Sequence, residues 1–337
     1  MKRISIAPMV DVTDKHFRYF CRLLTKKTVL YTEMISAASI IKGDRSKILD
    51  FDPIEKPLVL QLAGATAEEL KEAVAIAEDW DYDEINLNIG CPSDRVSGND
   101  MGAALMAYPE KVSQMVKAMK EATDKPISVK HRIGIDGRGF LPDEFSRVVL
   151  DEYEDMKHFV ELMQEAGVTD LIVHARIAIL AGLSPKENRQ VPPIRYDEVY
   201  RLKKDFPNLF IEINGGIRDV DSICEHLKHV DGVMIGRASY EDSFILSEID
   251  RLLGDERSES TSRREVIEGL IEYVEGFEDG DRRGFQALKN VLGLFHNKRG
   301  SKVWRRLLTP PWPKGYSTKM VLEEALREIE DDILDER

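Results

Sequence analysis

The chain has 337 residues, 42% hydrophobic and 32% charged, with a formal net charge of −13. That is enough for one large soluble domain and a small one, and no run approaches the roughly eighteen apolar residues of a membrane helix. Asp11 and Asp14 interrupt the N-terminal apolar stretch before a secretory core forms, and Cys21, Cys91 and Cys224 fit neither a disulfide framework nor zinc spacing. A reducing, cytoplasmic setting without a metal site is therefore expected.

Eight apolar runs with strand character recur along the first 250 residues: Ile4–Met9, Val29–Met34, Pro57–Gly64, Glu84–Pro92, Pro126–Gly134, Asp170–Arg176, Leu209–Gly216 and Gly232–Arg237. Between them lie stretches with apolar residues three and four apart, including Ala67–Asp79, Pro109–Thr123, Asp151–Ala166, Tyr196–Phe206 and Val220–Lys228. Strand and helix alternating eight times predicts a parallel sheet closed into a TIM (β/α)8 barrel spanning residues 1–250. The alternative, an open doubly wound sheet, lacks its Gly-rich fingerprint after the first strand.

Past residue 250 the strand signal stops. Gly254–Ser262 reads as a polar linker, and Ser262 with Glu265 forms a capping box. The helix it opens places Val266, Leu270, Val274 and Phe277 on one face. Phe285–Phe295, Lys302–Leu308 and Thr318–Leu334 read as further helices, broken by Gly300 and by Pro310–Gly315. Residues 251–337 are thus expected to form a small all-α domain. Between Arg282 and Lys319 it holds ten Lys or Arg and no Asp or Glu, a basic segment on an acidic protein. Such asymmetry suits contact with a polyanion at one place. Trp304, inside that segment, either stacks on a base or packs the helices, and packing is expected.

A TIM barrel gathers its chemistry at the C-terminal strand ends. Here those ends carry Met9, Glu33, Gln61, Asn86, Asn88, Cys91, Lys130, His174, Asn214–Gly215–Gly216 and Gly236–Arg237. The Asn-Gly-Gly after strand seven and Gly-Arg after strand eight supply backbone N–H groups and a guanidinium where barrels bind phosphate. Lys130 would stabilise negative charge on a reduced flavin, with Gln61 and His174 at the ring's polar edge; a Schiff-base lysine is the rival chemistry. Cys91 follows strand four, where a mostly protonated thiol suits proton donation. Cys21 and Cys224, on helical patterns, are expected to be inert core residues.

APMVDVTD (7–14), YTEM (31–34), LQLAG (60–64), EINLNIGCPSDRV (84–96), VKHRIGID (129–136), VHAR (173–176), GLSPKENR (182–189), INGGI (213–217) and GVMIGR (232–237) resemble tRNA-dihydrouridine synthases, especially the bacterial DusA-like subfamily. The similarity runs the whole length, GLFHNKRGSKVWRR included. It implies FMN as cofactor and NADPH as reductant, with hydride passing from flavin N5 to uracil C6 and Cys91 protonating C5. It also implies that Pro8–Met9–Val10, Gln61, Lys130, His174, Asn214–Gly216 and Gly236–Arg237 hold FMN. By the same resemblance, Asn88 and Arg189 contact the flipped uridine and Lys186, Lys302 and Arg305 contact tRNA, usually at D-loop positions 20 and 20a. No obligate protein partner is implied. The pattern departs at Ile177, where lysine is common, and at His131, where threonine is common. A free-pyrimidine reductase related to dihydroorotate dehydrogenase would have no use for the basic helices, and a noncatalytic RNA-binding barrel would bind no flavin.

Overall fold

The computed structural model describes Lys2 to Arg337, apart from residues 94, 95, 97, 99, 143, 144, 255–259 and 276–281. Every expected strand forms: β1 (Arg3–Ile6), β2 (Leu30–Tyr31), β3 (Leu58–Ala63), β4 (Glu84–Ile89), β5 (Ile127–Arg132), β6 (Asp170–His174), β7 (Phe210–Asn214) and β8 (Gly232–Ile235). From β2 to β8 each pairs in parallel with the next, and β8 returns to β1 through Ile4 opposite Val233. One bridge, Ser5 opposite Val29, closes the ring, with Ile6 N–H donating to Val29 O at 3.0 Å. The sheet is a closed barrel, not an open one.

Period-2 alternation sorts each strand's side chains. Outward residues such as Leu58, Leu60, Leu62, Ile85, Leu87 and Ile89 are fully buried beneath the helices Ala67–Ala77 and Pro109–Lys120. Inward, the small apolar cluster of Ala7, Tyr31, Val59, Ile172 and Met234 shares the lumen with polar residues. At the N-terminal floor Arg3 meets Glu212, Asp170 and Glu84 at 3.2–3.5 Å. Burial pushes the Glu84 carboxyl up to about 7, opposed by Arg3 and by the Ser128 hydroxyl, and burial raises Glu212 as well.

A second sheet, not evident in the sequence, joins Ile135–Asp136, Val149–Leu150 and Ala178–Ile179 at the rim. Ala178 N–H donates to Gly134 O at 2.9 Å, which ties the loop after β6 to the loop after β5. The strands are two residues long, too short for a pattern to announce them.

The C-terminal region is helical: Arg263–Glu275, Arg282–Leu288, a 3₁₀ turn at Leu292–Phe295, Ser301–Leu308, Thr318–Glu328 and Asp331–Leu334. The capping box forms, with Glu265 N–H donating to Ser262 Oγ at 3.2 Å and Ser262 N–H to Glu265 Oε2 at 2.7 Å. Val266, Leu270 and Val274 are buried as expected; Phe277 and most of the linker lie outside the described residues. Two expected helices are each divided. Phe285–Phe295 breaks around Asn290, whose amide reaches Asp11 O and Val12 O in the loop after β1. Thr318–Leu334 breaks at Ile329 and Glu330, which adopt extended backbone, and Glu330 pairs with Arg299.

The helix Lys15–Leu24 carries the junction, packing on Arg263–Glu275 and Arg282–Leu288, so barrel and helical region share one apolar core. Asp250 secures it by accepting from Thr25 Oγ1 at 2.6 Å and Lys26 N–H at 2.7 Å. Cys21 is buried in that helix, as expected. Cys224 corrects the core reading: it is exposed, because Ile223 and His226 occupy the inner face of Val220–His226.

Trp304 packs rather than stacks on a ligand. It is wholly buried against Phe295, with Nε1 donating to Val291 O at 3.2 Å. Trp304→Ala should cost about 3–5 kcal/mol in denaturant unfolding of the helical region; a loss under about 1 kcal/mol would contradict this packing role.

Candidate active site

A cavity of about 590 Å³ opens at the C-terminal ends of the barrel strands. Pro8, Met9, Val10, Gln61, Asn88, Cys91, Lys130, His174, Arg189, Asn214, Gly215, Gly216, Gly236 and Arg237 all line it, gathered from across more than two hundred residues of sequence. Cys91 and Lys130 therefore share one cleft. Lys186, Lys302 and Arg305 do not line it; all three are exposed. Glu33 turns aside to accept from Asp11 N–H at 2.6 Å.

The lining also contains residues that motif reading passed over: Arg132, Arg176, Arg218 and Tyr240. Arg132 stands two places beyond Lys130 on the same strand face, so strict period-2 counting would have found it, whereas Arg176 lies in the loop after β6. With Lys130, Arg189 and Arg237 this makes six cations and, among the described lining residues, no carboxylate. A chain of charge −13 has built a cationic pocket.

Burial pushes the Lys130 ammonium down to about 8 and Arg132 down to about 10, each pressed further by neighbouring guanidinium groups. Lys130 Nζ donates to Asn214 Oδ1 at 3.3 Å, and Asn214 Nδ2 donates to Met234 O at 2.8 Å. Burial also holds His174 well below its ordinary value, so its ring is neutral. Buried His174 Nδ1 and Arg176 Nη1 have no hydrogen-bond partner among the described residues. Buried unpaired polar atoms cost about 1–3 kcal/mol each, and both belong to side chains lining the cavity. A ligand with an anionic end fits this donor set.

Glycines shape the rim where backbone conformation demands them. Gly215 has φ +117°, and a Cβ there would meet His174 Nε2 at 3.2 Å. Gly102 has φ +68°, and a Cβ there would strike Cys91 O at 2.6 Å. Burial pushes the Cys91 thiol up, keeping it protonated at neutral pH.

A line of hydrogen bonds runs from the Cys91 loop down the lumen. Gly90 and Cys91 N–H groups donate to Asn88 Oδ1 at 3.1 and 3.0 Å. Asn88 Nδ2 donates to Gln61 Oε1 at 2.8 Å, Gln61 Nε2 to Asn86 Oδ1 at 2.7 Å, and Asn86 Nδ2 to Ser128 Oγ at 2.7 Å. Ser128 Oγ then donates to the floor carboxylate Glu84.

The loop over the mouth is set by buried Asn188. Its amide bonds Ile179 and Leu183 carbonyls while its Oδ1 accepts from Ile179 N–H, and Arg132 Nη1 grips Asn188 O at 3.0 Å. This holds Arg189 at the cavity. The two departures noted in the motifs fall outside it. His131 points away from the lumen, buried on Phe159, with burial lowering it to about 4. Ile177 packs on the core, and its carbonyl accepts from Arg132 Nη1 at 2.9 Å.

Residues 5–330 match the family model described as dihydrouridine synthase (Dus). The chain belongs to the dihydrouridine synthase family. It is 51% identical to the tRNA-dihydrouridine(20/20a) synthase of Synechocystis sp., over 91% of this chain and 88% of that one. It is 43% identical to the protein of that name from Vibrio vulnificus, over 98% of each. The one from Pseudomonas putida is 42% identical over 96% and 93%. The family is flavin-dependent, which agrees with a cavity offering a cationic end and neutral amides across its mouth.

The basic segment is less bare than its sequence suggests. Lys289 pairs with Asp14, Lys298 with Glu336, Arg299 with Glu330 and Asp332, Arg306 with Glu328, and Lys319 with Glu275. Lys302, Arg305 and Lys314 stay exposed and without a carboxylate partner among the described residues; the side chains of Arg282 and Arg283 are not among them.

The buried Lys130 charge has a testable cost. Its value in the fold, about 8, lies below the 10.5 of the unfolded chain, so the penalty is full below pH 8 and vanishes above 10.5. In flavin-free protein, Lys130→Met should raise the melting temperature at pH 7, and the gain should shrink as pH rises across that window. A gain independent of pH would show that the charge is not its source.

Proposed function

We propose that this protein is an FMN-dependent, NADPH-driven tRNA-dihydrouridine synthase that reduces the C5=C6 bond of D-loop uridines at positions 20 and 20a. What supports the reading is that one cationic cavity gathers a protonated cysteine, a lysine, neutral amides and two glycine-rich strand ends. The family membership and the relatives' names point the same way.

Gly215, Gly216, Gly236 and Arg237 would hold the FMN phosphate, with Asn214 beside them. Pro8, Met9 and Val10 would flank the flavin, and Gln61, Lys130 and His174 would meet its polar edge. When bound, reduced FMN supplies the hydride for uracil C6. Cys91, kept protonated by burial, delivers the proton to C5. Asn88 and Arg189 would orient the uracil. A stacked base cannot enter the barrel mouth, so the uridine must be extruded, at a cost of roughly a few kcal/mol. We assign repayment of that cost to Lys186, Lys302 and Arg305, exposed cations with no competing carboxylate among the described residues. In this reading residues 1–250 form the catalytic barrel domain and 251–337 the tRNA-binding domain, acting in the cytoplasm without an obligate protein partner. Among the described residues no helix is long and apolar enough to cross a membrane.

Cys91→Ala should lower dihydrouridine formation by roughly 10²–10⁴-fold while the purified protein keeps its flavin absorbance. Near-normal turnover would refute the proton-donor role. Neutralising Lys302 and Arg305 together should weaken tRNA binding and reduce the slope of log affinity against log salt by about 1 per residue. An unchanged slope would put the RNA contact elsewhere. Mapping dihydrouridine in host tRNA with and without the gene tests the function itself.

A further inference from the structure

The line of hydrogen bonds from Glu84 to Cys91 is held at both ends by groups that can act in only one sense. At the floor, a carboxylate accepts; at the rim, the backbone N–H groups of Gly90 and Cys91 donate. Between them stand three amides and a hydroxyl. An amide reads equally well in either orientation unless its neighbours decide, and here each link decides the next. Ser128 spends its proton on Glu84, so its oxygen accepts from Asn86 Nδ2. Asn86 must then present its oxygen to Gln61 Nε2, and Gln61 its oxygen to Asn88 Nδ2. Asn88 is left with Oδ1 facing the loop, where it takes both backbone N–H groups. Gln61, Asn86 and Ser128 are wholly buried, so water offers no substitute partner.

We propose that Glu84, about a barrel's depth from the chemistry, is a positioning residue that sets through Ser128 and Asn86 the orientation of Gln61 and Asn88, and thereby the placement of the Cys91 thiol. It touches neither base nor flavin. Its effect is to leave one N–H of Gln61 and one of Asn88 unspent, so both residues offer the cavity a donor. The groups they meet should therefore be acceptors, as a uracil or flavin carbonyl is. The claim rests on the proposed synthase activity for its consequence in turnover, but not for its structural content.

The test uses the full-length holoenzyme at pH 8, above the value of about 7 to which burial takes Glu84. Glu84→Gln keeps shape and hydrogen bonding but removes the one-way end, since an amide can donate or accept. Asn88 is then free to turn, and the Cys91 loop loses its clamp. Turnover of tRNA at saturation should fall on the order of 10-fold, with KM for tRNA little changed. Alkylation of Cys91 by iodoacetamide, followed on its own peptide by mass spectrometry, should quicken several-fold. Adding Asn86→Asp moves the obligate acceptor one amide up the line: it takes the protons of both Ser128 and Gln61, and Gln61 and Asn88 regain their sense. The double variant should recover both readouts.

Wild-type turnover and alkylation in Glu84→Gln would overturn the proposal. So would a defect that Asn86→Asp fails to rescue, since Glu84 would then act only through its ion pair with Arg3, which the double variant also lacks. If Glu84→Gln does not fold, Ser128→Ala cuts the same line with a smaller change, and unchanged Cys91 alkylation there would be decisive against it. Absence of dihydrouridine with the wild-type enzyme would sink the functional reading instead, and the alkylation contrast would still judge the line of bonds.

Discussion

A closed parallel barrel leaves no choice about where its strands finish. All eight C-terminal ends point the same way, and period-2 alternation aims every second side chain at a shared axis. Everything that distinguishes this site follows from that constraint. Lys130 and Arg132 descend from one strand, His174 ends the next and Asn214 the one after, with Arg176, Gly215 and Gly216 within two residues of those ends. Closure rests on a thin seam, the single Ser5–Val29 bridge, reinforced inside the floor by Arg3 among three carboxylates.

The lumen of this barrel is polar where many are packed with branched apolar residues. Burying Glu84, Glu212, Ser128, Asn86 and Gln61 costs stability unless each is paired, and each is. What that arrangement returns is orientation: side chains below the cavity fix which way the side chains lining it face. Unpartnered buried atoms occur on the floor, at Tyr31 and Glu212, and again at His174 and Arg176, where they belong to cavity-lining side chains that a ligand would complete.

Electrostatics divides the protein into an acidic exterior and a cationic mouth. Lys130 and Arg132 both fall chiefly because they are buried, and neighbouring guanidinium groups press each of them further. Elsewhere the acidic C-terminal tail neutralises Lys298, Arg299 and Arg306. The proposed RNA face is therefore narrower than the basic segment, confined to the cations that the tail does not claim. The helical region also reaches the chemistry directly, because Asn290 and Lys289 fasten the loop that carries Met9 and Val10.

Sequence by itself pointed to the barrel, because eight alternations of strand and helix spacing are local properties of the chain and the open doubly wound alternative lacked its Gly-rich fingerprint. Strand tips and the family resemblance together also marked fourteen residues that the fold brings to one cavity. Tertiary structure decided what depends on partners distant in the chain. The rim sheet, the breaks at Asn290 and Ile329, the exposure of Cys224 and the cancellation of half the basic segment each arise from a contact across tens to hundreds of residues. The sense of the amides between Glu84 and Cys91 belongs to the same class. No single residue carries it, because it exists only when three strands stand side by side.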